Sequence, residues 1–228
     1  MAKQPWDAFA SVYSRSFTTG LVHQALSIPP NQLVEMQWHR REERILACGG
    51  HDPVRIVLAY AQEEWGYDES DNPVMLSRSM YQALPRERRL NKFGPAYRPD
   101  AQLYLHRTLA DIVIGMAMHL YRSQGWKTVL YDGLRTMEGA YKLYTYATDD
   151  DIAGGLLALP GQSAHNKGMA VDSMMEDASG KEIDMGGHFD HLDMATNSRT
   201  YAGDKISDAA KSNRLIREAA FLRGALTQ

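Results

Sequence analysis

An amphipathic helix that runs directly into a buried strand is the tightest constraint this chain places on its own folding. Leu105, Leu109, Ile112, Val113, Met116 and Leu120 recur at helical spacing, and Gly125 supplies the stop. The residues that follow, "WKTVLYDG" (126–133), form a short β-branched and aromatic run ending in an Asp-Gly turn. A striped helix and a buried strand must cover one another, so the sequence predicts a helix laid on a sheet. "TMEGAYKLYTYA" (136–147) predicts a second helix that tolerates one internal glycine. "GMAVDSMM" (168–175) reads as a further strand, and "EDASGKEI" (176–183) as a turn into its hairpin partner. A last helix is expected from about Ser207 to Leu226, with Leu215, Ile216, Ala219 and Leu222 on its apolar side. These elements define an α+β chain, a small and mainly antiparallel sheet flanked by helices.

The first hundred residues are organised differently. "HDPVRIVLAYAQEEWG" (51–66) predicts a helix with Asp52 as N-cap and Pro53 in the first helical position. Around it Pro29, Pro30, Pro73, Pro85, Pro95 and Pro99 divide the chain into short pieces. The expectation is an N-terminal extension, residues 1–100, packed on a core formed by residues 101–228.

Composition removes several function classes. Of 228 residues, 44% are hydrophobic and 23% charged, which excludes wholesale disorder. A net charge of -3, without an arginine-rich arm, argues against a nucleic-acid partner. The basic cluster "RERRLNK" (86–92) and the run Asp149-Asp150-Asp151 read as solvated segments. Cys48 is the single cysteine, so intrachain disulfides and thiolate zinc sites are out. No stretch is long and apolar enough for a signal peptide or a membrane span. A cytoplasmic chain is expected, or a periplasmic one whose signal peptide has been removed. The 12 methionines fit pliable core packing, and His106 and His119 read as ordinary residues of the long helix.

One stretch fits no packing role. "GQSAHNKGMAVDS" (161–173) sets His165 in a Gly/Ser/Asn-rich loop and Asp172 inside an apolar run. An aspartate suits a half-buried strand only where something satisfies its charge. Imidazole and carboxylate are both zinc ligands, and the turn at Gly168 could bring them to one ion. The plain alternative is an exposed loop histidine and a capped or paired structural carboxylate.

"SAHNKGMAVD" resembles the S-x-H-x-x-G-x-A-x-D signature of the zinc D,D-peptidases. That group includes the D-alanyl-D-alanine dipeptidases of vancomycin resistance, peptidoglycan carboxypeptidases and the Hedgehog-type fold. "VLYDGLR" (129–135) resembles the family's strand and turn ending in arginine, and "DMGGHFDHLD" (184–193) its M-G-x-x-F-D stretch. The three segments follow the family's order across roughly residues 103–223, about half of the chain. The resemblance implies one zinc ion on His165, Asp172 and a third ligand. It implies that Arg135 stabilises the oxyanion of the tetrahedral intermediate, that Ser163 helps hold the substrate and that Asp190 faces the substrate's free ammonium. The activity implied is hydrolysis of the D-alanyl-D-alanine dipeptide by metal-activated water. The alternatives are a peptidoglycan D,D-carboxypeptidase or endopeptidase, and a non-catalytic binding module on the same fold. The expected partner is a small D,D-dipeptide or a peptidoglycan peptide.

The family pattern also includes a C-terminal E-x-W-H motif that supplies the third ligand and the catalytic base. Here the last helix is followed by Gln228, and the motif does not occur. Three explanations stand side by side. A longer protein carries the motif; another histidine substitutes; or the fold persists without the reaction. Candidates for substitution are His188, His191 and His39, the last in "MQWH" (36–39) with Met36 in the glutamate's place.

Overall fold

The β-branched run after Gly125 becomes the middle strand of a three-stranded sheet, and the rest of the fold is arranged around it. The computed structural model describes residues 28, 30–61, 65–67, 73–75, 96–98, 100–147, 157–187 and 206–227. Its elements are β1 (Leu33–Glu35), α1 (Arg41–Ala47), β2 (Val54–Ile56), β3 (Trp65–Tyr67), β4 (Pro73–Met75) and β5 (Tyr104–His106). They continue with α2 (Arg107–Gln124), β6 (Lys127–Asp132), α3 (Met137–Tyr146), β7 (Asp172–Glu176) and α4 (Asp208–Leu226). The basic cluster at 86–92 and the acidic run at 149–151 lie outside the described residues.

The chain is α+β. β6 pairs parallel with β2 and antiparallel with β7, giving the order β2-β6-β7. β1 pairs antiparallel with β5, and β3 with β4. Three of the four described pairings are therefore antiparallel, as the sequence leads one to expect. The hairpin after β7 closes through Asp177 N–H to the Lys181 carbonyl at 2.8 Å and Ile183 N–H to the Met175 carbonyl at 2.8 Å. No described helix is long and apolar enough to cross a membrane.

α2, α3 and α4 each begin on a side-chain cap. His106 Nδ1 accepts from Thr108 N–H at the start of α2, Thr136 Oγ1 from Gly139 N–H at α3, and Ser207 Oγ from Ala210 N–H at α4. Gly125 ends α2 at φ 72°, a conformation that a Cβ would oppose. α2 buries Leu109, Val113, Ile114, Met116, Ala117 and Leu120, and β6 buries Val129, Leu130 and Tyr131 within the same core. α4 crosses α2 closely at two glycines. A Cβ added to Gly115 would stand 3.1 Å from the Gly224 Cα, and one added to Gly224 would collide with the Ile112 carbonyl.

Four local expectations are corrected. The helix expected over 51–66 is absent: residues 54–56 are β2 and residues 59–61 a 3-10 turn. Asp52 caps Val54 N–H but not a helix, and it holds the buried Arg44 through two bonds of 2.9 Å. The β-branched "VRI" finds a parallel partner in β6, while Leu58 at φ 46° leaves helical geometry. Next, β7 starts at Asp172 and not at Gly168, because Gly168 at φ 64° closes a 3-10 turn. Finally, α4 turns Ala210, Arg214, Ala220 and Gly224 inward and leaves Leu215, Ala219 and Leu222 exposed, with Ile216 half-buried. Its close contact with α2 selects small residues over large ones. His106 likewise ends β5 and caps α2, lying just outside the helix.

Candidate metal centre

A bulge in β6 builds the site. The β6–β7 register pairs Leu130 with Ser173 and then Asp132 with Asp172, leaving Tyr131 as the extra residue. Two carboxylates thus stand opposite each other at the end of the ladder. Like charges in that position repel unless cations separate them.

Asp132 is fully buried, and all of its acceptor capacity is in use. Oδ1 accepts from Tyr97 O–H and Gly133 N–H, both at 2.9 Å. Oδ2 accepts from Arg135 Nε at 3.0 Å and Nη2 at 2.6 Å. Burial opposes the charge on Arg135, but the Asp132 carboxylate more than compensates, and the guanidinium pKa is raised. Its carbon lies 5.5 Å from the Tyr60 ring centre. Burial, and then Asp132, push the Tyr97 hydroxyl well above its ordinary range, so it remains a proton donor. Gly139 makes room for that tyrosine: a Cβ there would stand 2.7 Å from Tyr97 Cε1.

The Gly-rich loop is fastened to the same turn. Asn166 accepts from Gly161 N–H at 3.0 Å and donates to the Arg135 carbonyl at 2.8 Å. Arg135 N–H donates to the His165 carbonyl at 2.9 Å. Ser163 Oγ accepts from His165 N–H at 3.2 Å, which leaves its own O–H to donate elsewhere. His165 Nδ1 lies 2.8 Å from the Gly133 carbonyl oxygen. A carbonyl can only accept, so Nδ1 carries a proton and Nε2 is the nitrogen left to meet a metal. Nε2 stands 3.6 Å from Asp172 Oδ2.

Asp172 is 35% exposed, and its pKa is raised by burial and by Asp132, against the opposing pull of His165 and Arg135. The Arg135 guanidinium reaches it only at 3.8 Å. Asp132, His165 and Asp172 each offer an atom within 4.8 Å of the others. With the Asp132 oxygens occupied by hydrogen bonds, the free donors are His165 Nε2 and Asp172. At 3.6 Å they are too far apart to hydrogen-bond well. Two donors at about 2.0–2.1 Å from one tetrahedral ion stand about 3.3 Å apart, so the pair fits a zinc ion with a shift of a few tenths of an ångström.

His165, Asp172, Arg135 and Ser163 therefore gather in one place. His39 does not join them: its Nε2 is held by Asp111 at 2.8 Å, between α2 and the start of α1. It is not a substitute ligand in this arrangement. Asp190, His188 and His191 lie outside the described residues. Asp132, Tyr97 and Asn166 are components that sequence reasoning missed. The signal for Asp132 was its spacing of three from Arg135 across "DGLR", which suits a buried pair as well as a turn.

The fold and site thus define an α+β protein with a histidine–carboxylate donor pair on a buried Asp–Arg support. No family model matches the chain. Over 138 residues it is 28% identical to the D-alanyl-D-alanine dipeptidase of Escherichia coli (strain K12), a match covering 59% of this chain and 66% of that protein. The match therefore spans just under two thirds of the relative's length.

Proposed function

We propose that the chain is a zinc-dependent D,D-dipeptidase that hydrolyses D-alanyl-D-alanine. The observation that carries this reading is the convergence of His165 Nε2 and Asp172 Oδ2 at 3.6 Å, with Nδ1 already tethered to a carbonyl. The 28% identity to the Escherichia coli dipeptidase supports the same reaction class. His165 and Asp172 would hold the ion. Bound zinc would supply a Lewis acid and a water whose pKa is lowered to about 7.

The protein's own groups have distinct tasks. Asp132 fixes Nε and Nη2 of the Arg135 guanidinium. The guanidinium would donate to a developing oxyanion, preorganised by its buried carboxylate partner. One such donor contributes on the order of 3–4 kcal/mol. The Ser163 O–H would donate to a peptide group of the substrate, and Asp190 would face its ammonium.

A second reading has its own support. Among the described residues only two donors are free, and the cluster they belong to contains no glutamate. A positioned base contributes roughly 10²–10⁴-fold. On this reading the chain binds cell-wall peptides without turning them over. Purified protein is to be incubated with equimolar zinc and D-alanyl-D-alanine, with metal content measured in parallel. Release of D-alanine, lost in His165→Ala, is the expected result. Bound zinc and bound peptide without release would replace the dipeptidase by the binding module.

A further inference from the structure

We infer that Arg217 reads a free C-terminal carboxylate in a peptide cleft running from Asp172 along the open edge of β7 to α4. The inference rests on the peptidase reading and specifies which end of the substrate this chain selects. The cleft has a volume of about 470 Å³, within the range of small-ligand sites. Asp172 and Ser173 line one wall, Arg217 and Glu218 another, and Met116 and Phe221 are among the apolar residues of the lining.

Among the described residues Arg217 is the only cation in that lining. It is half-buried and has no hydrogen bond or ion pair with any described residue. Burial, and then the neighbouring Arg214, lower its pKa. A guanidinium taken out of water without a counter-ion is unfavourable, and a bidentate carboxylate is the ligand that relieves it. Arg214 cannot be that relief. It is itself cationic, and its Nε is committed to the Met185 carbonyl at 2.6 Å.

The sheet edge supplies direction. β7 is the outer strand of β2-β6-β7. The Met175 carbonyl accepts from Ile183 N–H, so the backbone polar groups of Met175 face away from β6. Strand alternation turns the N–H and C=O of Ser173 to the same side. Among the described residues the hairpin covers this edge at Met175, whereas at Ser173 the cleft opens beside it. An extended peptide can add there by main-chain hydrogen bonds, with the Asp172 carboxylate at its middle and its terminal carboxylate on Arg217.

The test compares D-alanyl-D-alanine with its C-terminal amide. Dissociation constants are measured on the metal-free chain, and KM and kcat on the zinc-loaded one. Wild type is expected to bind the acid about tenfold or more tightly than the amide, the range of a hydrogen bond to a charged group. Arg217→Gln is expected to erase the preference and to raise KM more than it lowers kcat. Thermal melts check folding. Should the glutamine variant melt far below wild type, Arg217→Lys, which lacks the planar fork, is expected to cut the preference severalfold. Equal binding of acid and amide by wild type overturns the inference, as does a preference that survives substitution or a failure to bind either peptide. Equal hydrolysis of acid and amide would sink the carboxylate reading and leave the peptidase standing. A preference erased by Arg217→Gln without any D-alanine release would do the reverse.

Discussion

Asp132 bears on the candidate centre without offering a free donor atom, because it sets the position and charge of Arg135. Removing its negative charge strands a buried guanidinium beside Tyr97, which would lose its acceptor charge as well. Breaking one side of such a pair typically costs about 3–5 kcal/mol. Asp132→Asn is therefore expected to lower unfolding free energy by about that amount in urea titrations. It should also reduce D-alanine release more than zinc content. A variant as stable as wild type would show that the pair is not the support described above. At this scale the sequence was legible where chemistry conflicted with packing. Asp172 stands in an apolar run, so its charge called for a partner, and His165 was the nearest donor. Asp132 gave no such conflict, since Asp-Gly after a strand is also an ordinary turn. Its partner Tyr97 is 35 positions away, beyond any local pattern.

Elements were legible in proportion to how much of their stability is local. α2, α3 and α4 carry their own N-caps, and all three lie within a residue or two of the expected spans. β2 is three residues long and exists through its pairing with β6, so nothing in "DPVRIV" distinguishes it from a helix start. The face of α4 was misread for a related reason. Hydrophobic periodicity assumes that large residues point inward, whereas here the backbone approach at Gly115 and Gly224 leaves space only for small ones. That contact is testable. Gly224→Ala is expected to destabilise the protein by about 1–3 kcal/mol through overpacking, despite the better helix propensity of alanine. Leu215→Gln, on the exposed side, should stay within about 0.5 kcal/mol of wild type. If thermal melts rank the two variants the other way, α4 does not lie on α2 as described.

For the molecule as a whole, an ion at the candidate centre would link folding, protons and metal. In the metal-free chain the Asp172 pKa is raised, chiefly by burial. The folded state therefore holds this proton more tightly than the unfolded state. Its contribution to stability is complete below the ordinary aspartate range and is lost as pH rises through the raised value. Zinc held there would reverse the preference, because it would bind only when Asp172 and His165 Nε2 carry no proton. Any ligand bound to the folded state alone stabilises it by mass action, and here that gain must grow with pH. The gap in melting temperature between zinc-loaded and chelator-treated protein is thus expected to be small at pH 4 to 5 and to widen toward pH 8. His165→Ala should close it at every pH. A gap that persists unchanged into acid, or survives that substitution, would place the ion on groups other than the histidine–aspartate pair at the end of β6 and β7.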